Sequence, residues 1–123
     1  YAAAIKWYKQ AALQGNIKAQ FKLGHMYHSG KGVIKDYQAA IKWYSYASKQ
    51  GHVLALNNLG NIYSSSKSGL QDYVMAHMFY NLAATISMEV AAQNRDLIAN
   101  KLTPYQIKKA TEMAQEWRKK NTQ

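Results

Sequence analysis

A shift of 36 residues lays this chain on itself. Residues 1–36 and 37–72 are identical at nearly half of their positions, and the matches fall in blocks. Ala4-Ile5-Lys6-Trp7-Tyr8 returns as Ala40-Ile41-Lys42-Trp43-Tyr44. Gln14-Gly15 returns as Gln50-Gly51, Leu23-Gly24 as Leu59-Gly60, Tyr27 as Tyr63 and Asp36 as Asp72. A third, worn copy keeps Tyr73, Ala76, Phe79, Tyr80, Ala83, Ala91, Asn94 and Ile98. A fixed period of this size is the mark of a solenoid, in which each unit buries its apolar face only by stacking on its neighbours. Such stacks build binding surfaces more readily than catalytic pockets.

The apolar spacing inside each copy is helical. Tyr37, Ala40, Ile41, Tyr44 and Ala47 recur at i, i+3, i+4 and i+7, which places them on one face. Asp36 stands where an N-cap is needed, and Gly51 where a helix can be stopped by a left-handed residue. The pattern predicts seven helices, at 1–14, 17–29, 36–49, 52–65, 72–86, 88–101 and 104–120. Gly24 and Gly60 fall in mid-helix, where Gly costs about 1 kcal/mol relative to Ala. Close contact between helices, with no room for a Cβ, accounts for them. Thr103-Pro104-Tyr105-Gln106 reads as a capping box with Pro at the first helical position. It opens a helix whose outer positions carry Lys108, Lys109, Glu112, Glu116, Lys119 and Lys120, a polar cap on the stack.

The 123 residues form one domain on this reading: 1–16 as the second helix of a truncated repeat, 17–51 and 52–87 as repeats, and 88–123 as a degenerate repeat and cap. Tyr1 occupies the slot of Tyr37 and Tyr73, so the chain is expected to start inside a repeat and the natural protein to extend upstream. No apolar run approaches the ~20 residues that cross a bilayer. There is no Cys, which excludes disulfides and thiolate metal sites. The net charge is +10, and residues 1–49 carry most of it, with eight lysines against the single acid Asp36. That excess favours acidic partners, anionic surfaces or nucleic acid.

The pattern Ala19-x-x-x-Leu23-Gly24-x-x-Tyr27, a Gly-Lys-Gly-Val loop, Asp36-Tyr37-x-x-Ala40-x-x-Trp43-Tyr44-x-x-Ala47 and then Gln50-Gly51 closely resembles the Sel-one-like repeat, a relative of the tetratricopeptide repeat. The likeness is strong over residues 1 to about 86. The second copy departs in its loop, Lys67-Ser68-Gly69-Leu70, and the third has Phe79 for Trp43 and Arg95 for Leu59. The resemblance implies an all-α fold, a right-handed α-α superhelix of stacked helical hairpins. It implies a non-enzymatic adaptor that binds a peptide or partner domain, and it leans toward a bacterial periplasmic or secreted setting.

By the same resemblance, the first helix of each hairpin lines a concave groove. Ala19, Leu23, Tyr27, Ala55, Leu59 and Tyr63 are its core positions. The residues off that stripe are Lys18, Phe21, Lys22, His25 and His28, then Asn57, Asn58 and Asn61, then Gln93 and Asn94. An amide donates and accepts at once and so suits a peptide backbone, while Lys18 and Lys22 suit an acidic segment. The second reading is a basic nucleic-acid or anionic-surface binder driven by counterion release.

The remaining chemistry is thin. Trp7, Tyr8, Trp43, Tyr44, Phe79 and Tyr80 sit at repeat-locked spacing and are expected in the core rather than on a base-stacking face. Tyr46 and Tyr105 are expected at the surface. His25 and His28 have metal-compatible spacing but no third ligand nearby, and a solvated polar face is the expected role. His52 and His77 have no partner in sequence. No triad, nucleophile elbow or phosphate-cradling loop is arguable, and neither an enzyme nor a cofactor is expected.

Overall fold

The computed structural model describes residues 2–86 and 89–121. Tyr1 and Met88, where two of the expected helices begin, lie outside the described residues. Seven helices run along these residues: α1 Ala2–Leu13, α2 Ile17–Ser29, α3 Tyr37–Lys49, α4 Val53–Ser64, α5 Tyr73–Ile86, α6 Glu89–Ala99 and α7 Pro104–Asn121. No strand occurs among the described residues. The fold is all-α and built of helical hairpins. Contacts divide the chain into two compact units, Tyr1–Ala55 and Leu56–Gln123, with the boundary inside α4.

The helices start and stop where the caps dictate. The Ala19 N–H donates to Asn16 Oδ1 (2.9 Å) ahead of α2, and the Ala39 N–H donates to Asp36 Oδ1 (3.1 Å) ahead of α3. At the next repeat His52 takes the place of Asn16, and its Nδ1 accepts the Ala55 N–H (3.2 Å). Asp72 Oδ1 accepts from both Val74 and Met75. The capping box ahead of α7 is reciprocal: Thr103 N–H to Gln106 Oε1 (2.9 Å) and Gln106 N–H to Thr103 Oγ1 (3.1 Å). Gly51 follows α3 with φ +92°, a left-handed conformation that other residues adopt at a cost. The long loops are pinned alike, by Asp36 N–H to Tyr27 O (2.9 Å) and Asp72 N–H to Tyr63 O (2.7 Å).

In the first unit, Ala12, Ala19, Leu23 and Trp43 are buried together, with Tyr8, Ala11 and Tyr27 packed against them. In the second, Ala76, Tyr80 and Ile98 form a cluster at other positions of the repeat, with Tyr63, Tyr73 and Leu102 around it. Both mid-helix glycines face a buried ring. A Cβ on Gly24 would stand 2.5 Å from Cδ1 of Tyr44, and one on Gly60 would stand 2.5 Å from Cε1 of Tyr80. The close approach is thus helix to tyrosine ring, repeated at the 36-residue offset.

One of the six stripe aromatics departs from expectation. Tyr44, Trp43, Phe79 and Tyr80 are buried and Tyr8 is half-buried, but Trp7 is 74% exposed. The reason lies in what covers the slot. Trp43 is covered by residues of α1 and α2, and Phe79 stacks on Tyr63 of α4 (5.7 Å), so in both cases the cover comes from helices earlier in the chain. Trp7 stands on α1, the first helix, and no described helix precedes it.

Candidate functional site

The two units carry different polar faces. In the first unit, α2 turns Ala19, Leu23 and Met26 into the core. Lys18, Lys22 and His25 follow at i, i+4 and i+7 and are exposed, so they form one stripe along the helix. Phe21 is half-buried: its ring stacks on His52 (4.4 Å) and leans on Tyr44 (5.6 Å). His28 is half-buried as well, its ring edge-on to Tyr37 (5.8 Å) and Tyr44 (6.0 Å). Burial lowers the pKa of His28, with His25 and then Lys35 adding to the effect. His25 and His28 therefore part company, one at the surface and one wedged among aromatics.

Lys22 and His25 open onto a concavity of about 270 Å³ between α1 and α2. Ala4, Tyr8, Met26 and Lys31 complete its lining, and no carboxylate is among them. Asp36, the single acid of residues 1–49, is committed to capping α3. The site is thus cationic, with a small apolar floor, and it suits an anionic group carried on a compact body. Tyr8 and Lys31 were not among the expected site residues. Lys31 lies in the loop after α2, and its return to the α1–α2 concavity has no signal in the sequence period.

In the second unit the amide cluster is more deeply seated than its position off the core stripe implies. Asn57 is 6% exposed, and Asn94 Nδ2 donates to its Oδ1 (3.4 Å). Asn61 Oδ1 accepts the Tyr80 hydroxyl (2.6 Å), which also meets Ser64 Oγ (3.1 Å). Asn58 and Asn94 are half-buried and Gln93 is exposed. Asn57 and Asn61 therefore do not lie on a freely solvated face. The helical period placed them off the leucine stripe of α4, but α6 supplies Asn94 to the first and α5 supplies Tyr80 to the second.

Among the described residues no group of three or more His, Asp or Glu is placed to hold a metal ion. No helix among them is long and apolar enough to cross a membrane.

The Sel1 repeat family model matches this chain at residues 1–16, 17–52 and 53–85. A protective antigen of uropathogenic Escherichia coli displaying an SLR fold superposes with a TM-score of 0.86 at 36% identity, over 95% of this chain and 25% of that one. A Sel1 repeat protein from Oxalobacter formigenes superposes with a TM-score of 0.67 at 35% identity, over 75% of this chain and 69% of that one. The chain thus spans a quarter of the length of the Escherichia coli antigen. No curated protein matches.

Proposed function

The chain belongs to the Sel1 repeat family, and we propose that it is a non-catalytic protein-interaction module that takes an acidic segment of a partner protein on the exposed face of α2. Sel1 repeats are an interaction-scaffold type of repeat. The observation that carries the finer reading is the stripe Lys18, Lys22 and His25 beside a concavity with no carboxylate in its lining. A carboxylate arriving there gains charge-assisted hydrogen bonds. The apolar floor of Ala4 and Met26 accepts the body that bears it.

The amides of α4 and α6 form a second patch of different character. Asn57 and Asn61 are taken up by Asn94 and Tyr80, so exposed Gln93 with half-buried Asn58 and Asn94 supplies the donors and acceptors, which suit a peptide backbone rather than a charge. We assign the charge preference to the first unit and backbone recognition to the second.

The test is a binding titration with acidic peptides. Lys18→Glu together with Lys22→Glu should weaken binding by at least about tenfold, while melting is unchanged, because exposed substitutions usually stay within about 0.5 kcal/mol. Full affinity in that variant, or no binding of acidic peptides by the parent chain, overturns the reading. Binding of RNA or DNA with a steep salt dependence, and of no peptide, assigns the face to nucleic acid instead.

A further inference from the structure

The second unit holds a further groove, apart from its amide patch. It is about 680 Å³ and open, and it runs between α5 and α7. Met75 and Met78 of α5 form one wall, and Met113 and Trp117 of α7 form the other. Three of the five methionines of the chain thus meet here. Met side chains adapt their shape to a partner and pack well on aromatic rings.

The rim is charged and balanced. Tyr105, Lys109, Glu112, Glu116 and Lys120 follow at steps of four, three, four and four, which aligns them as one stripe of α7. All five are exposed, and Tyr105 is 74% exposed. Among the described residues no ion pair engages Glu112 or Glu116. The chain is +10 with only six acids, so two copies repel one another over most of their surface. This stripe, with two Lys and two Glu, is locally neutral.

The stripe is also self-complementary. With two α7 helices antiparallel about a two-fold axis between residues 112 and 113, Lys109 of each copy lies opposite Glu116 of the other. Tyr105 of each lies opposite Lys120 of the other, an ammonium within reach of a ring face. At the centre Glu112 of each copy lies near Glu112 of the other, a like-charge contact that Lys109 of its own helix, one turn away, offsets. Such reciprocity, in which residue i meets j and j meets i, is what a two-fold interface demands. Two Met-lined grooves close on each other beneath the charged stripe and remove that apolar surface from water.

We propose that the α5–α7 groove is a self-association site, occupied by α7 of a second copy of this chain in antiparallel orientation. Lys109 and Glu116 are seven residues apart on one helix, roughly 10 Å, too far to pair within a copy. Mixing of variants therefore reads the contact between copies directly. The experiment is sedimentation equilibrium on the 123-residue chain. The parent is expected to be a dimer that dissociates on dilution. Lys109→Glu and Glu116→Lys should each weaken association at least about tenfold, since each places like charges opposite one another twice. Circular dichroism melting serves as the folding control for both variants. An equimolar mixture of the two variants should recover the dimer. In the mixed dimer one copy presents a carboxylate at both positions and the other an ammonium at both, so opposite charges face each other at each crossing. A parent that stays monomeric into the millimolar range overturns the proposal. So does a single variant that dimerises as tightly as the parent, or a mixture that stays monomeric while both variants are folded.

Discussion

At the scale of single residues, a few side chains hold the repeats in register. Gly24 against Tyr44 and Gly60 against Tyr80 are one contact made twice, and each ring is buried. Ala at either glycine gains about 1 kcal/mol in helix propensity but must displace a ring that has no free space. Gly24→Ala and Gly60→Ala should each be net destabilising by about 1–3 kcal/mol in urea unfolding, as overpacked cores are. Melting above the parent in both would mean that the rings move aside freely. The need for a small residue was legible because mid-helix glycine is otherwise a cost. The identity of the ring, twenty residues further on, was not. The histidines carry the other prediction at this scale. His77 is 5% exposed and its Nδ1 has no hydrogen-bond partner among the described residues. Burial holds its pKa below the ordinary 6.5, Arg95 adds to this and Asp96 opposes it. His52 is lowered by burial too, and its Nδ1 must stay unprotonated to cap α4. The unfolded chain takes up these protons first, so unfolding free energy should be level above about pH 6.5 and fall below it. Urea midpoints between about pH 7.5 and 5.5 read this, and His77→Leu should shrink the slope. A midpoint that rises on acidification contradicts it.

At the scale of elements, the helix limits were readable to within about two residues because the caps are written in the sequence. Asp36, Asp72, Thr103 and Gln106 all do what their types suggest. What a helix face touches was less readable. Trp7 and Trp43 share a five-residue block, yet one is 74% and the other 7% exposed. Sequence identity repeats the side chain but not the neighbour that covers it. Trp43→Ala should therefore cost about 3–5 kcal/mol. Trp7→Ala should cost under about 0.5 kcal/mol. Equal losses in urea unfolding would mean that both slots are covered alike. The seating of the α4 amides was hidden for the same reason. A period of 3.6 marks them as lying off the leucine stripe, but Asn94 and Tyr80 arrive from α6 and α5, which the period of α4 does not see. The α5–α7 groove was equally hidden, since α7 breaks the 36-residue spacing and the period does not say which of its faces meets α5.

At the scale of the whole molecule, the repeat announced the fold class and the family, and the charge excess is what motivates the acidic-partner proposal. The lysine excess of residues 1–49 is divided among helices: Lys18 and Lys22 share a stripe of α2 with His25, whereas Lys6, Lys9 and Lys42 stand on α1 and α3. On the reading proposed, the α2 stripe receives an acidic partner and the lysines of α1 and α3 do not. A two-dimensional amide NMR titration of the chain with an acidic peptide tests this most directly. Saturable shifts centred on Lys18, Lys22 and His25, extending to Lys31, are the expected result. Shifts confined to the surroundings of Lys6, Lys9 and Lys42, or no saturable shifts at all, would contradict it.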